Sequence, residues 1–256
     1  MILKCRNISK VFETRNGHIR ALEKITFQTE EQEFLCILGP SGCGKTTLLK
    51  IIAGLLEPTH GEVIYDGSGS EGTPLNSLVF QEHGLFPWMN VIDNVSFGLE
   101  MRRIKKKERY SVASEVIEKV GLKRFLKNYP HELSVGMKQR VGLARAIVND
   151  PAILLMDEPF GSIDAQTKLI LQDELLKIWS QYRKPIIYVT HDIEEAVLLG
   201  DRVVVLTSSP GKIKEEIKVE LPRPRDIEIK GTTAFTQINM KIWHIIEDEV
   251  RKTMGR

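Results

Sequence analysis

Nine residues, GPSGCGKTT at 39–47, constrain this chain more than any others. They follow an apolar run, FLCIL, and lead into TTLLKIIAGLL, a helix-like stretch closed by the turn signal EPTHGE. A strand, a glycine-rich turn and a helix in that order let backbone N–H groups converge on an anion. The positive end of the helix dipole lies behind them. Gly39, Gly42 and Gly44 allow the curl, with Pro40, Ser41 and Cys43 between them and Thr47 beyond. The pattern predicts a phosphate-binding loop in which Lys45 reaches β- and γ-phosphates and the Thr46 hydroxyl ligates Mg2+.

Three further positions gain meaning beside that loop. AILLMDEP at 152–159 ends an apolar strand with two adjacent carboxylates. An acid pair at a strand end is by itself ordinary turn material. Next to a phosphate loop, Asp157 is expected in the Mg2+ shell and Glu158 beyond it, as a general base on water. His191 ends a second apolar run, IIYVTH, before Asp192 and Glu195, which fit an acidic helix cap. A lone histidine there is more often structural, yet its strand edge makes it a γ-phosphate sensor candidate. Gln81 ends the short run LVF.

The rest of the chain frames these motifs. Strand-like runs fill the first 65 residues, and 66–76 reads as a glycine- and serine-rich loop. Residues 91–148 are helical in pattern, with Gly121 stopping one helix, and the basic run RRIKKKER reads as a solvated face. Short apolar runs then alternate with helices, as in ILLM, IIYV and VVVL, which predicts buried parallel strands. The reading is an α/β core interrupted by a helical insert at about 83–148. LPRPRD at 221–226 reads as a proline-stiffened connector. A last amphipathic segment carries Phe235, Ile238, Ile242, Ile245 and Ile246 at helical spacing.

Composition sets outer limits. Among 256 residues, 36 basic side chains face 34 acidic ones, so net charge makes no case for nucleic acid or an anionic membrane. No apolar run approaches the roughly 20 residues that span a bilayer. The first residues show no secretory pattern, and Cys5, Cys36 and Cys43 show no CxxC spacing, so an intracellular, reduced protein is expected.

Taken in order, GPSGCGKTT, Gln81, LSVGM at 133–137, ILLMDEP, GSID at 161–164 and His191 resemble the nucleotide-binding subunit of an ABC transporter, and the resemblance covers nearly the whole chain. It implies a RecA-like P-loop NTPase core of α/β class with an N-terminal antiparallel β part and a helical insert subdomain. The ATPase domain would occupy 1–221, followed by a connector and helix at 222–256. It also implies ATP and Mg2+ as cofactors. Two copies would pair head to tail, Ser134 and Gly136 of one facing the phosphate loop of the other.

That pairing gives LSVGM a purpose. The motif supplies no lysine of its own, but a hydroxyl and a helix start suit the second half of another copy's anion site. Ser134 as a mere cap of its own helix is the plainer alternative, and both roles can coexist. Val135 and Met137 depart from the family's Leu-Ser-Gly-Gly-Gln. The resemblance further implies that Phe12 stacks on adenine, that Gln81 and Asp164 belong to the nucleotide site with Gln81 also at the metal, and that Phe86, Pro87 and Trp88 lie where a membrane partner docks.

GLFPWMNVIDNVSFGLE, SSPGKI and LPRPRD are similar to importer ATPases for nitrate, sulfonate and taurine. The expected partners are a second copy, two integral-membrane permease subunits and, indirectly, a solute-binding protein. The expected place is cytoplasmic, on the inner face of the membrane. The rival readings are a soluble ABC-type ATPase acting on nucleic acid or ribosomes, and a nucleotide-holding module without hydrolysis. Near-neutral charge weighs against the first and the presence of Glu158 against the second.

Overall fold

The computed structural model describes residues 2–15, 17–67, 72–81, 84–161 and 163–254. In chain order the elements are β1 (Ile2–Thr14), β2 (Gly17–Gln28), β3 (Phe34–Leu38), α1 (Lys45–Ile52), β4 (His60–Asp66), β5 (Asn76–Val79), α2 (Val91–Met101), α3 (Lys106–Lys119) and α4 (Val135–Ile147). There follow β6 (Ile153–Asp157), α5 (Ala165–Tyr182), β7 (Ile186–Thr190), α6 (Ile193–Leu199), β8 (Arg202–Leu206), β9 (Ile213–Lys218) and α7 (Thr233–Met254). They fall into two compact units, one of Met1–Ser68 with Arg183–Arg256 and one of Gly69–Tyr182.

In the first unit β1 lies antiparallel between β2 and β4. A second set has β3 flanked by parallel β7 and β8, with β9 antiparallel on β8. Every residue of β3 and β7 is buried, which is why these strands read as unbroken apolar runs rather than alternations. Helix α1 stops at Ile52, four residues before the apolar run of the sequence does. Gly54 takes φ 73° and lets Leu55 N–H close on Lys50 O, ending the helix while Leu55 turns to solvent.

The LPRPRD segment is more than a connector. Its two arginines serve the end of α6, whose last carbonyls have no partner within the helix. The buried Arg225 guanidinium donates to the carbonyls of Val197, Leu198 and Gly200, and also to those of Val219 and Leu221. Arg223 donates to Leu199 O at 2.6 Å and to Asp201 Oδ1 at 2.8 Å. The chain after β9 is thereby pinned to a helix end some 25 residues earlier.

Helix α7 then packs on the same unit, burying Phe235, Ile242 and Ile246 as its periodicity predicts, together with Glu249. Glu249 accepts from the N–H and hydroxyl of Ser208 and from the ammonium groups of Lys214 and Lys252, each at 2.9 Å. Burial alone pushes its carboxyl up. Hydrogen bonds from Lys252, Ser208 and Lys214 more than offset that and hold it at about 2, against an ordinary 4.5. A depressed carboxyl stabilises the fold above its unfolded value and stops doing so as pH falls through the folded one. Glu249→Gln is therefore expected to cost up to about 3 kcal/mol at pH 7. The difference from wild type should shrink below pH 4.5 and vanish near pH 2, measured as urea midpoints across pH.

In the second unit β5 pairs parallel with β6, whose five residues are all buried. Helices α2, α3 and α4 lie within the helical stretch anticipated at 83–148. Asn90 and Ser134 cap α2 and α4, accepting from Asp93 N–H and Met137 N–H. Asn94, fully buried on α2, accepts from Phe86 N–H and donates to Phe86 O and Met89 O. One amide thus fixes the FPWM turn onto the helix. The basic run is exposed from Arg102 to Lys107 except at Ile104, a solvated surface at the α2–α3 turn.

Candidate nucleotide-binding site

The phosphate loop spans from the end of β3 to the start of α1, as the sequence predicts. Gly44, the residue before α1, has φ 100°, and a Cβ there would lie 2.8 Å from Ala21 O. Only glycine fits that turn. Lys45 is buried and its Nζ donates to Gly39 O at 2.8 Å and Pro40 O at 3.1 Å, so its charge sits inside the curl of the loop. Ser41, Gly42 and Thr46 are exposed, Cys43 is buried and Thr47 is half-buried. The first turn of α1 carries no acid that would repel a phosphate.

Phe12 lies half-buried on β1, with Lys10 Nζ 5.3 Å from its ring centroid. His191 is exposed just past β7. Around it Asp192 Oδ1 accepts from Glu195 N–H and caps α6. The Glu195 carboxylate turns inward to accept from Tyr188 OH and Thr190 Oγ, while Thr190 Oγ accepts from Asp192 N–H. A buried polar knot therefore fixes the backbone on both sides of His191.

The second unit holds the remaining candidates. Asp157 is 7% exposed at the end of β6, and Glu158 follows it in a left-handed conformation, φ 42°. Six other non-glycine residues among those described also take a positive φ, so at Glu158 the conformation sets where the carboxylate points without by itself marking a function. A Cβ built on Gly161 would lie 3.6 Å from Gln81 Nε2 and 3.7 Å from Glu158 Oε2, so these two side chains gather at one glycine. Asp164 accepts from Thr167 N–H at the start of α5, and this bond holds its carboxyl below the usual range. The neighbouring Ser162 of GSID lies outside the described residues.

Ser134 is exposed and its Oγ accepts from Met137 N–H at 3.3 Å, so the hydroxyl does cap its own helix. A Cβ on Gly136 would meet the Thr167 methyl at 3.0 Å, because α5 packs close there. Gly136 thus has a packing reason as well as any role toward nucleotide. Val135, 46% exposed, presents itself to solvent beside Ser134.

A cavity of about 270 Å³ also opens in this unit, lined by Phe80, Phe86, Phe97 and Arg145 among others. Arg145 donates to Gly84 O and lies 5.7 Å from the Phe86 ring centroid. Trp88 stands 71% exposed nearby in sequence.

The residues of the 39–47 loop fit the phosphates of a nucleotide. The loop offers N–H groups, a helix start and an ammonium. Among the described residues no group of three or more His, Cys, Asp or Glu side chains could hold a metal alone. A Mg2+ carried by phosphates needs only one or two protein ligands, such as a threonine hydroxyl and an aspartate.

The same conclusion comes from comparison with known proteins. A family model described as ABC transporter matches residues 22–161, and the chain belongs to that family. It is an ATP-binding subunit with a P-loop NTPase fold, and it binds and hydrolyses ATP with Mg2+. An uncharacterized ABC transporter ATP-binding protein of Methanocaldococcus jannaschii is 50% identical, over 98% of this chain and 94% of its own. The aliphatic sulfonates import ATP-binding protein SsuB of Bacillus cereus is 44% identical, over 94% of each. The nitrate import ATP-binding protein NrtD of Synechocystis is 46% identical, over 87% of this chain and 84% of its own. A dimeric post-hydrolysis structure of an ATP-binding cassette with ADP and Pi superposes at TM-score 0.74 with 31% identity, over 86% of this chain and all of its own.

Proposed function

We infer that the chain is the ATP-hydrolysing subunit of an importer for a small solute of the nitrate, sulfonate or taurine kind. The observation that carries this reading is the phosphate loop, with Lys45 enclosed and Thr46 exposed, in a chain whose relatives are named as import subunits. Gly39–Thr47 hold the phosphates, and Phe12 stacks on the base. Thr46, Gln81 and Asp157 serve Mg2+, whose charge steadies the leaving phosphates. Glu158 takes the proton of the attacking water and His191 contacts the γ-phosphate. Ser134 and Gly136 of a second copy complete the site, with Asp164 beside it. The ATPase domain runs over 1–221, with 222–256 as an appended segment.

Two copies engage two permease subunits at the membrane's inner face, and a solute-binding protein delivers the solute. The cavity of Phe80, Phe86 and Arg145 and the exposed Trp88 suit a helix from such a permease. Among the described residues no helix is long and apolar enough to cross a membrane. The test is uptake of labelled nitrate, taurine and an alkanesulfonate by vesicles holding this chain with its permease. ATP-dependent uptake of one of them, lost in Lys45→Ala, is expected; ATP hydrolysis indifferent to any permease would overturn the importer reading.

A further inference from the structure

The phosphate loop does not stand alone; a second loop backs it. Gly211 N–H donates to Ala21 O and Gly211 O accepts from Glu23 N–H. A Cβ on Gly211 would lie 2.2 Å from Cys43 O, just as one on Gly44 would collide with Ala21 O. The backbones at 21–23, at 211 and at 43–44 therefore lie in close contact, and the Leu22 side chain packs against both glycines, 2.8 Å from a Cβ on Gly44 and 3.3 Å from one on Gly211. Close-packed backbone transmits displacement because it cannot compress. Movement of Gly211 moves Cys43 and Gly44, the residues that aim the loop.

The 207–212 loop is closed on itself by Thr207. Its hydroxyl donates to Pro210 O and accepts from Lys212 N–H, while Thr207 N–H reaches Lys212 O. From outside it is held by α7: both Ser208 donors end on Glu249 Oε2, and Lys214 of the next strand ends on Oε1. Helix α7 lies beyond the stretch that the family model matches. Its buried carboxylate is four-coordinated for no reason that packing alone demands, since an apolar side chain would fill the same space without needing partners.

We propose that Glu249 is a positioning residue for ATP: α7 braces the phosphate loop through Ser208 and Gly211, so nucleotide affinity depends on the seating of this helix. The proposal rests on the reading that residues 39–47 hold ATP.

The test compares full-length Glu249→Gln, Ser208→Ala and Gly211→Ala with wild type. Glu247→Gln serves as control, since Glu247 accepts from Arg251 on the exposed side of the same helix. Binding of a fluorescent ATP analogue with Mg2+ gives Kd, and steady-state hydrolysis gives kcat and KM, all well below each melting midpoint. Glu249→Gln and Ser208→Ala are expected to raise Kd and KM about fivefold while kcat stays within about twofold. Gly211→Ala should raise them further, and the control should raise neither. If Glu249→Gln and Ser208→Ala lower the midpoint but leave Kd unchanged, α7 only packs and the proposal falls. Lys45→Ala separates the two readings. If it leaves ATP binding intact, the phosphate-loop reading fails and the brace with it. If it abolishes binding while the brace variants bind normally, only the brace fails.

Discussion

Glu158→Gln is expected to lower ATP turnover by roughly 10²- to 10⁴-fold while ATP still binds, the range that removal of a general base commonly costs. The substitution preserves shape and the left-handed backbone at φ 42° but cannot take a proton from water. Binding groups in the phosphate loop are untouched, so Kd for ATP should hold. With hydrolysis blocked, the nucleotide-closed form should accumulate, and light scattering with ATP and Mg2+ should show a shift from one copy to two. Adding Ser134→Arg places bulk and charge on the exposed start of α4 and should abolish that shift. If Glu158→Gln turns ATP over within fivefold of wild type, the base lies elsewhere. If it binds ATP yet remains a single copy, the shared-site role of LSVGM is refused for the isolated chain.

The second large effect is structural. Arg225→Ala is expected to destabilise the protein by about 3–5 kcal/mol, because five carbonyls lose a charged donor inside a region closed to water. Burial and the neighbouring Arg223 pull the Arg225 guanidinium down to about 10, which leaves it charged at any neutral pH. The clamp should therefore be insensitive to pH between 5 and 8, unlike the Glu249 contact in acid. Urea midpoints of Arg225→Ala and of Arg225→Lys decide the matter. Lysine keeps the charge but loses the planar fork, so it should recover only a minor part of the loss. A loss of stability under about 1 kcal/mol for Arg225→Ala, taken as the midpoint shift times the m-value, would mean that water reaches these carbonyls after all.

Legibility followed the range of the interaction. The phosphate loop, the caps at Ser134 and Asp192, and the buried strands β3, β6 and β7 could be read because their causes lie within a few residues. Strand β9 could not: of its six residues only Ile217 is buried, so an edge strand of IKEEIK carries no period. Short β5, four residues long, offered too little pattern to separate from a loop. The convergence of Gln81 and Glu158 on Gly161 joins distant stretches and appears only in three dimensions. Arg225 and Glu249 share that difficulty, since their partners lie 25 and 41 residues away. A faint signal existed in LPRPRD, where prolines forbid helix and leave two arginines needing acceptors. The resemblance to the family located functional motifs that the residues alone could only suggest, and Ser134 shows why: its hydroxyl caps its own helix whatever else it does.

The exposed start of α4 has a kinetic consequence. A chain that carries whole sites turns over at a rate per molecule that ignores dilution. One that, as proposed, carries Ser134 on a face completed by another copy obeys mass action instead, so its specific activity should climb with concentration. Under the same proposal, tethering two such chains to one pair of permeases would replace bulk concentration by an effective one, far above what a dilute solution offers. Idle copies adrift from the membrane would then waste little ATP, and the switch that spares it would be encounter itself.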